Sequence, residues 1–164
     1  MDSQTTTSSE NKSVQLEEFL QSGGSLHLLS GIAQDDLDEM ESYASQLFAS
    51  SEFSESRNIY LILSTLDHWN IEYMLGLGLC HQRLGDHRDA LHCFSRVGIR
   101  TIEDPRAAFF SGLSLRLMGA DEAAQKAFHS AVLCSGEQQQ FQEIKNSAQQ
   151  MLNTIKEKQH DDNR

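Results

Sequence analysis

The chain has 164 residues, enough for one domain or a short helical solenoid, and its 24 acidic and 13 basic residues give a formal net charge of −11. This acidity argues against nucleic-acid binding, which needs a cationic surface. The single proline and the 38% of apolar residues suit an all-helical protein better than a sheet. The three cysteines, Cys80, Cys93 and Cys134, include no Cys-x-x-Cys pair, so we expect reduced thiols.

Both ends of the chain are polar. Residues 1–12 lack an apolar cluster and are predicted to be disordered, and residues 159–164 are predicted to form a frayed tail. No basic segment followed by an apolar core predicts a secretory signal, and no apolar run approaches the ~20 residues that span a bilayer. We therefore expect a cytoplasmic protein that does not insert into a membrane.

Residues 13–34 are predicted to be a separate N-terminal helical region. It begins with a short amphipathic helix that ends at Gly23-Gly24, and a second short apolar cluster follows. The apolar residues of the two pieces are Val14, Leu16, Phe19 and Leu20, and then Leu26, Leu28, Leu29 and Ile32. The region could cap the rest of the domain or supply a dimer contact.

From about residue 37, small and aromatic residues recur every 34 positions, as from 78 to 112. A period of this length is typical of tetratricopeptide repeats, in which each unit is a pair of antiparallel helices. The three copies of the pattern are Ala44, Ser51, Ser56 and Tyr60; Gly78, Gly85, Ala90 and Phe94; and Gly112, Gly119, Ala124 and Phe128. The pattern predicts an all-α, right-handed solenoid of three repeats over about 37–70, 71–104 and 105–138. A capping helix over 139–158 completes a domain of residues 35–158.

The residue types explain how such repeats pack. Gly78 and Gly112 allow a neighbouring helix to approach, and Gly85 suits a turn with positive φ. Asp35 is the predicted N-cap of the first repeat helix. The predicted inward faces are Met40, Tyr43, Ala44 and Leu47 for that helix, and Phe141, Ile144, Ala148, Met151, Leu152 and Ile155 for the capping helix.

The first helices of repeats two and three carry more apolar residues than their core faces need. The additional residues are Leu75, Leu79, Phe109, Leu113 and Leu117. A helix that is apolar around most of its circumference is buried around most of it. We therefore predict a concave groove for a ligand chain, in which Gln82, Arg83 and Arg116 hold backbone carbonyls or acids of the ligand. The alternative is that the chain's own terminal helices cover these residues.

A second apolar stripe lies on the outer side of repeat one, at Ile59, Ile62 and Leu66. It favours either self-association or packing against the N-terminal helix.

The seven histidines do not have metal-ligand spacing, and no nucleophile elbow, phosphate loop or paired carboxylates occur. We therefore expect no metal, no cofactor and no enzymatic activity.

Four short motifs resemble one known family. They are Phe19-Leu20-x-x-Gly23-Gly24-Ser25-Leu26, Leu66-Asp67-His68-Trp69, Leu75-Gly76-Leu77-Gly78 and Asp104-Pro105-Arg106. Over roughly residues 14–157 the chain resembles the class II chaperones of bacterial type III secretion systems, which serve hydrophobic translocator proteins.

The resemblance implies that the groove holds an extended N-terminal segment of a translocator. By binding this segment, the chaperone would keep translocators soluble, apart and competent for secretion. It places Glu41 and Ser45 where relatives often carry aromatic residues, whereas Phe48 keeps that character. It also implies a homodimer through the N-terminal region and repeat one, at Leu16, Phe19, Leu20, Ile59, Ile62 and Leu66. The alternative function is a generic repeat adaptor that bridges cytosolic proteins or a regulator.

Overall fold

The computed structural model describes residues 14–161, with side chains to residue 158. The predicted disordered residues 1–12 and the last residues of the predicted tail, 162–164, lie outside the described residues. The helices are α1 (14–21), α2 (Leu26–Ser30), α3 (Gln34–Ala49), α4 (Phe53–Leu66), α5 (Ile71–Leu84), α6 (His87–Arg100), α7 (Arg106–Leu117), α8 (Asp121–Ser135) and α9 (Gln142–Asp161), with a 3₁₀ turn at Gln139–Phe141. No strand occurs over residues 14–161, and the predicted all-α class is confirmed.

The helices from α3 to α8 form three pairs, and each helix packs against the next along the chain. Helix α9 then packs against α8 and also touches α7. It continues to Asp161, so the last turns are helical beyond the predicted start of the tail. Successive pairs bury apolar surface that no pair could bury alone, which is the physical basis of a repeat solenoid.

Aromatic rings lie directly on glycines in the second and third pairs. A Cβ atom added to Gly78 would lie 2.6 Å from Cε1 of Phe94, and one added to Gly112 would lie 2.6 Å from Cε1 of Phe128. Real Cβ atoms do not come this close, so the rings occupy space that the missing side chains leave free. The predicted role of these two glycines is confirmed.

The turns inside the pairs place one residue in the left-handed region. Gly85 has φ +86° and Gly119 has φ +76°, which explains glycine at both positions. The equivalent residue of the first pair is Ser51, which adopts φ +67° despite its side chain. Positive φ is therefore a property of this turn in every pair, including the one that lacks glycine.

Residues from the motifs on which the family resemblance rests join separate parts of the fold. The Trp69 indole N–H donates to the carbonyl of Gly24 at 3.1 Å, and the Arg100 guanidinium lies 4.5 Å from the centre of the Trp69 ring. Arg106 donates to both carboxylate oxygens of Glu72, at 2.6 and 2.9 Å. The first contact fixes the N-terminal region at the corner after α4, and the second ties the start of α7 to the start of α5.

Two local predictions for α3 are wrong. The helix begins at Gln34 with Ala33 at the N-cap position, and the Ala33 N–H donates to the Asp36 carboxylate at 3.3 Å. Asp35 therefore lies inside the first turn and is not the N-cap. Tyr43 is 57% exposed, because the buried face passes through Leu37 and Ala44 and the residue before Ala44 points about 100° away from it.

Candidate peptide-binding groove

An open cavity of about 720 Å³ lies among α5, α7 and α9. Its volume is in the range of roughly 300–1,000 Å³ that is usual for ligand sites. The lining residues are Gln82, Arg83, Leu113, Arg116, Leu117 and Met151. Five of these six were predicted from the sequence as groove residues, and the structure brings them together at the repeat-three end of the concave face.

The apolar wall of this cavity is accessible. Leu117 is 69% exposed, while Leu113 and Met151 are half-buried and pack against the core formed by α8 and α9. Helix α9 contributes one wall of the cavity through Met151 and does not fill it. The described part of the terminal helices therefore leaves apolar surface uncovered.

Three polar side chains surround the apolar wall. The Arg83 guanidinium lies 4.6 Å from the centre of the Phe53 ring, and Nη1 of Arg116 donates to the sulfur of Met151 at 2.9 Å. Nε2 of Gln82 donates to the Phe110 carbonyl at 2.9 Å and to the Ser114 hydroxyl at 2.7 Å. Because both amide hydrogens of Gln82 are used, its side-chain oxygen is the group left for a ligand.

The repeat-one end of the concave face differs. The rings of Phe48 and Phe53 meet edge to face with their centres 5.2 Å apart, and the Ser45 and Tyr60 hydroxyls are 3.0 Å apart. Burial raises the pKa of the half-buried Glu41, and two nearby carboxylates add to this effect. This end therefore combines an aromatic pair with a hydroxyl pair and with a carboxyl group whose ionised form is disfavoured.

The structure does not expose every predicted groove residue. Leu75 is 5% exposed and belongs to the core, and Leu79 packs against the same core. Phe109 is half-buried, with its ring centre 5.9 Å from that of Phe128. The physical reason is that α5 contacts α4, α6 and α7, which together cover most of its circumference. The chain itself, and no ligand, accounts for the apolar residue at position 75.

Sequence reasoning did not place Met151 in the groove. The sequence predicts Met151 as part of the inward face of the capping helix. The 34-residue period ends before α9, however, so it does not predict which residues of α9 lie beside α7. The thioether lies against Arg116, 35 positions earlier in the chain. This contact depends on how α9 docks on α8, which no local pattern reveals.

The predicted dimer residues are divided between surface and core. Leu16 and Ile62 are exposed, Phe19 and Leu20 are half-buried, and Ile59 and Leu66 pack against the core. An apolar cavity of about 440 Å³ lies between α1 and the corner formed by His68 and Trp69. Leu28 and Leu29, which belong to the N-terminal region that was predicted to cap the domain or supply a dimer contact, are also exposed, and so is Leu61, which was not predicted.

Within the described residues, no three His, Cys, Asp or Glu side chains lie close enough together to hold a metal ion. None of the helices of the described chain combines the length and the apolar character needed to cross a bilayer.

Comparisons with known proteins agree with the geometry. No family model matches the chain. It is 29% identical over 153 residues to the low calcium response locus protein H of Yersinia pestis, covering 93% of this chain and 91% of that protein. A crystal structure of a type III secretion system complex from Aeromonas hydrophila superposes with a TM-score of 0.84 at 31% identity, covering 89% of this chain and 97% of the other.

A third comparison comes from a relative with a ligand. The Yersinia enterocolitica type III secretion chaperone SycD, solved with a peptide of the translocator YopD, superposes with a TM-score of 0.74 at 27% identity. The match covers 78% of this chain and 98% of that one. Stacked helical pairs with an open apolar groove define a tetratricopeptide-repeat protein. Within that class, the chain belongs to the class II chaperones of type III secretion translocator proteins.

Proposed function

We propose that this protein is a cytoplasmic chaperone that holds an extended N-terminal segment of a hydrophobic translocator in its concave groove. The observation that carries the proposal is the open cavity among α5, α7 and α9, with exposed Leu117 beside half-buried Leu113 and Met151. The YopD peptide bound to SycD supports it, since that chaperone shares this fold. The bound segment would bury its apolar side chains against this wall.

The physical role of the groove is sequestration. A translocator carries segments suited to a bilayer, and such segments aggregate in water because they expose large apolar patches. An extended segment bound in a groove contributes apolar contacts without folding into a compact unit. The cargo would therefore stay soluble, apart from other translocators and ready for secretion.

We also propose that the free chaperone forms a homodimer through its N-terminal region and repeat one. Exposed Leu16 and Ile62, together with the apolar cavity beside Trp69, support this surface. Removing such residues from water is the main favourable contribution to association.

The test of the chaperone function is co-expression with each hydrophobic translocator of the same secretion system. Leu117→Glu places a charge on the exposed apolar wall, where the fold tolerates it. We expect it to weaken translocator binding at least ~10-fold, which corresponds to about 1.4 kcal/mol, and to move the translocator to the insoluble fraction.

Leu133→Glu is the matched control. Leu133 is 74% exposed on α8 and does not line the cavity, so this variant should keep the translocator soluble. Equal behaviour of the two variants would contradict the groove. The adaptor alternative would be favoured if the wild type solubilised no translocator and instead bound a folded cytosolic protein.

A further inference from the structure

The cavity holds two guanidinium groups that have no carboxylate partner among the described residues. Elsewhere, Arg57 lies 3.8 Å from Asp86, and Arg106 lies 2.6 Å from Glu72. Neither Arg83 nor Arg116 forms such a pair with any described residue, although the chain has 24 acidic residues for 13 basic ones. The two cations therefore meet at one cavity without compensation.

The partners of these arginines position them without neutralising them. The Phe53 ring supports Arg83 from one face, at 4.6 Å, and the Met151 sulfur accepts one hydrogen bond from Arg116. A guanidinium has five N–H donors, and a thioether is a weak acceptor. Most of the donors of both groups therefore remain available to a ligand that enters the cavity.

The charges lie beside apolar surface. Leu113, Leu117 and Met151 form the wall of the cavity of about 720 Å³, and its lining includes no acidic side chain. Guanidinium groups bind carboxylates with two parallel hydrogen bonds, which are stronger than bonds between neutral groups. A ligand that fits both features carries an acidic side chain close to a large apolar one.

We propose that Arg83 and Arg116 select a cargo segment in which an aspartate or glutamate lies near a large apolar residue. The inference builds on the proposed function and specifies which segment the groove takes. The whole chain carries a net charge of −11, so its overall field disfavours a carboxylate that is not paired with these cations. Pairing with the two arginines thus fixes the register of the segment as well as its identity.

The test uses peptides selected on the full-length chain. A library of random peptides is displayed, and binders are kept when the Leu117→Gln variant, which adds no charge beside the arginines, does not retain them. We expect these peptides to be enriched in an acidic residue within ~4 positions of Leu, Ile, Met or Phe, because alternate residues of an extended segment face the same wall.

One selected peptide is then synthesised with its Glu and with Gln in the same place, and affinities are measured by fluorescence anisotropy. We expect the Gln peptide to bind the wild type roughly 5–20-fold more weakly, through loss of charge-assisted hydrogen bonds. In the R83Q/R116Q variant the two peptides should bind within about twofold of each other. The R88Q/R96Q variant carries the same change of charge on exposed arginines of α6 outside the cavity, and should keep the full preference.

The outcomes separate the two proposals. Groove-dependent peptides without enrichment in acids, or a Glu preference that survives R83Q/R116Q, would overturn the inference and leave the groove function standing. If no peptide distinguishes the wild type from Leu117→Gln, the groove function fails, and the inference fails with it. Thermal melts of all variants by circular dichroism establish that each one is folded.

Discussion

The aromatic ring of repeat one lies directly on a glycine of the next repeat, whereas the rings of repeats two and three lie directly on glycines of their own repeats. A Cβ atom added to Gly76 would lie 2.5 Å from Cε1 of Tyr60, while Phe94 and Phe128 approach the glycines of their own first helices. The residue of repeat one equivalent to those glycines is Ala44, which is fully buried. Its methyl group occupies part of the space that a ring would need. The same 34-residue pattern therefore places the glycine under the ring in two different positions, on the next repeat for Tyr60 and on the same repeat for Phe94 and Phe128.

This difference also changes the concave face. The Tyr60 hydroxyl lies 3.0 Å from that of Ser45, so a polar residue of the groove face gains a partner. The equivalent residues of the later repeats, Leu79 and Leu113, are apolar, and the rings of those repeats are phenylalanines, which offer no hydrogen bond. The groove face is therefore polar at the repeat-one end, with Glu41 and the hydroxyl pair, and it is apolar and open at the repeat-three end, beside Leu113 and Leu117. The tyrosine hydroxyl of repeat one thus accompanies a polar residue on the groove face, and the phenylalanines of the later repeats accompany apolar ones.

The largest expected effect comes from breaking the contact between repeats one and two. We expect Gly76→Ala to lower the free energy of unfolding by ~1–3 kcal/mol, because the added methyl group overlaps the Tyr60 ring. In a Tyr60→Leu background the same change should cost at least ~1 kcal/mol less, which a double-mutant cycle in urea would measure. Gly98→Ala is the control, since its Cβ would lie 3.7 Å from that of Ala107, an ordinary contact. If alanine at positions 76 and 98 lowered the free energy of unfolding equally, the contact between the Tyr60 ring and Gly76 would be contradicted.

The sequence predicted the helical pairs because their spacing depends on residues whose role is local. Gly85 is needed for the positive φ of one turn, and Gly78 and Phe94 pack together in one contact between two helices. The 34-residue period of such residues in the sequence is therefore enough to locate the helical pairs. It did not predict that Leu75 is buried, since that depends on how many neighbours cover α5. It also did not place Met151, whose position depends on the docking of α9 after the last repeat.

A smaller effect tests the turn of repeat one against those of the later repeats. Ser51 keeps φ +67° in the place where repeats two and three have glycine. We expect Ser51→Gly to raise the free energy of unfolding by roughly 0.5–1 kcal/mol, because relief of the left-handed strain outweighs the entropy of the more flexible unfolded chain. The converse change, Gly85→Ala, should lower it by about 1 kcal/mol, since no atom lies within 4 Å of the added Cβ and only the backbone resists. Thermal unfolding measures both, and destabilisation by Ser51→Gly would show that the serine is held there by something other than the turn.

The smallest expected effect concerns Glu41, at the polar end of the groove, where the later repeats have Leu75 and Phe109. Its pKa is raised above the ordinary 4.5 by burial, and then by the charges of Glu72 and Asp38. The folded state therefore binds its proton more tightly than the unfolded state, so stability decreases as the pH rises through 4.5 towards the raised pKa, and the loss is complete above it.

Glu41→Gln removes this loss, so the variant should be more stable than the wild type at neutral pH by a few tenths of a kcal/mol. The advantage should vanish as the pH falls below 4.5, because Glu41 is then protonated in both states. Glu39→Gln at a neighbouring exposed position has the same effect on net charge and serves as the control in urea unfolding at each pH. An advantage of Glu41→Gln over Glu39→Gln that is independent of pH would mean that hydrogen bonding by the amide, and not the charge of the carboxylate, distinguishes this end of the groove.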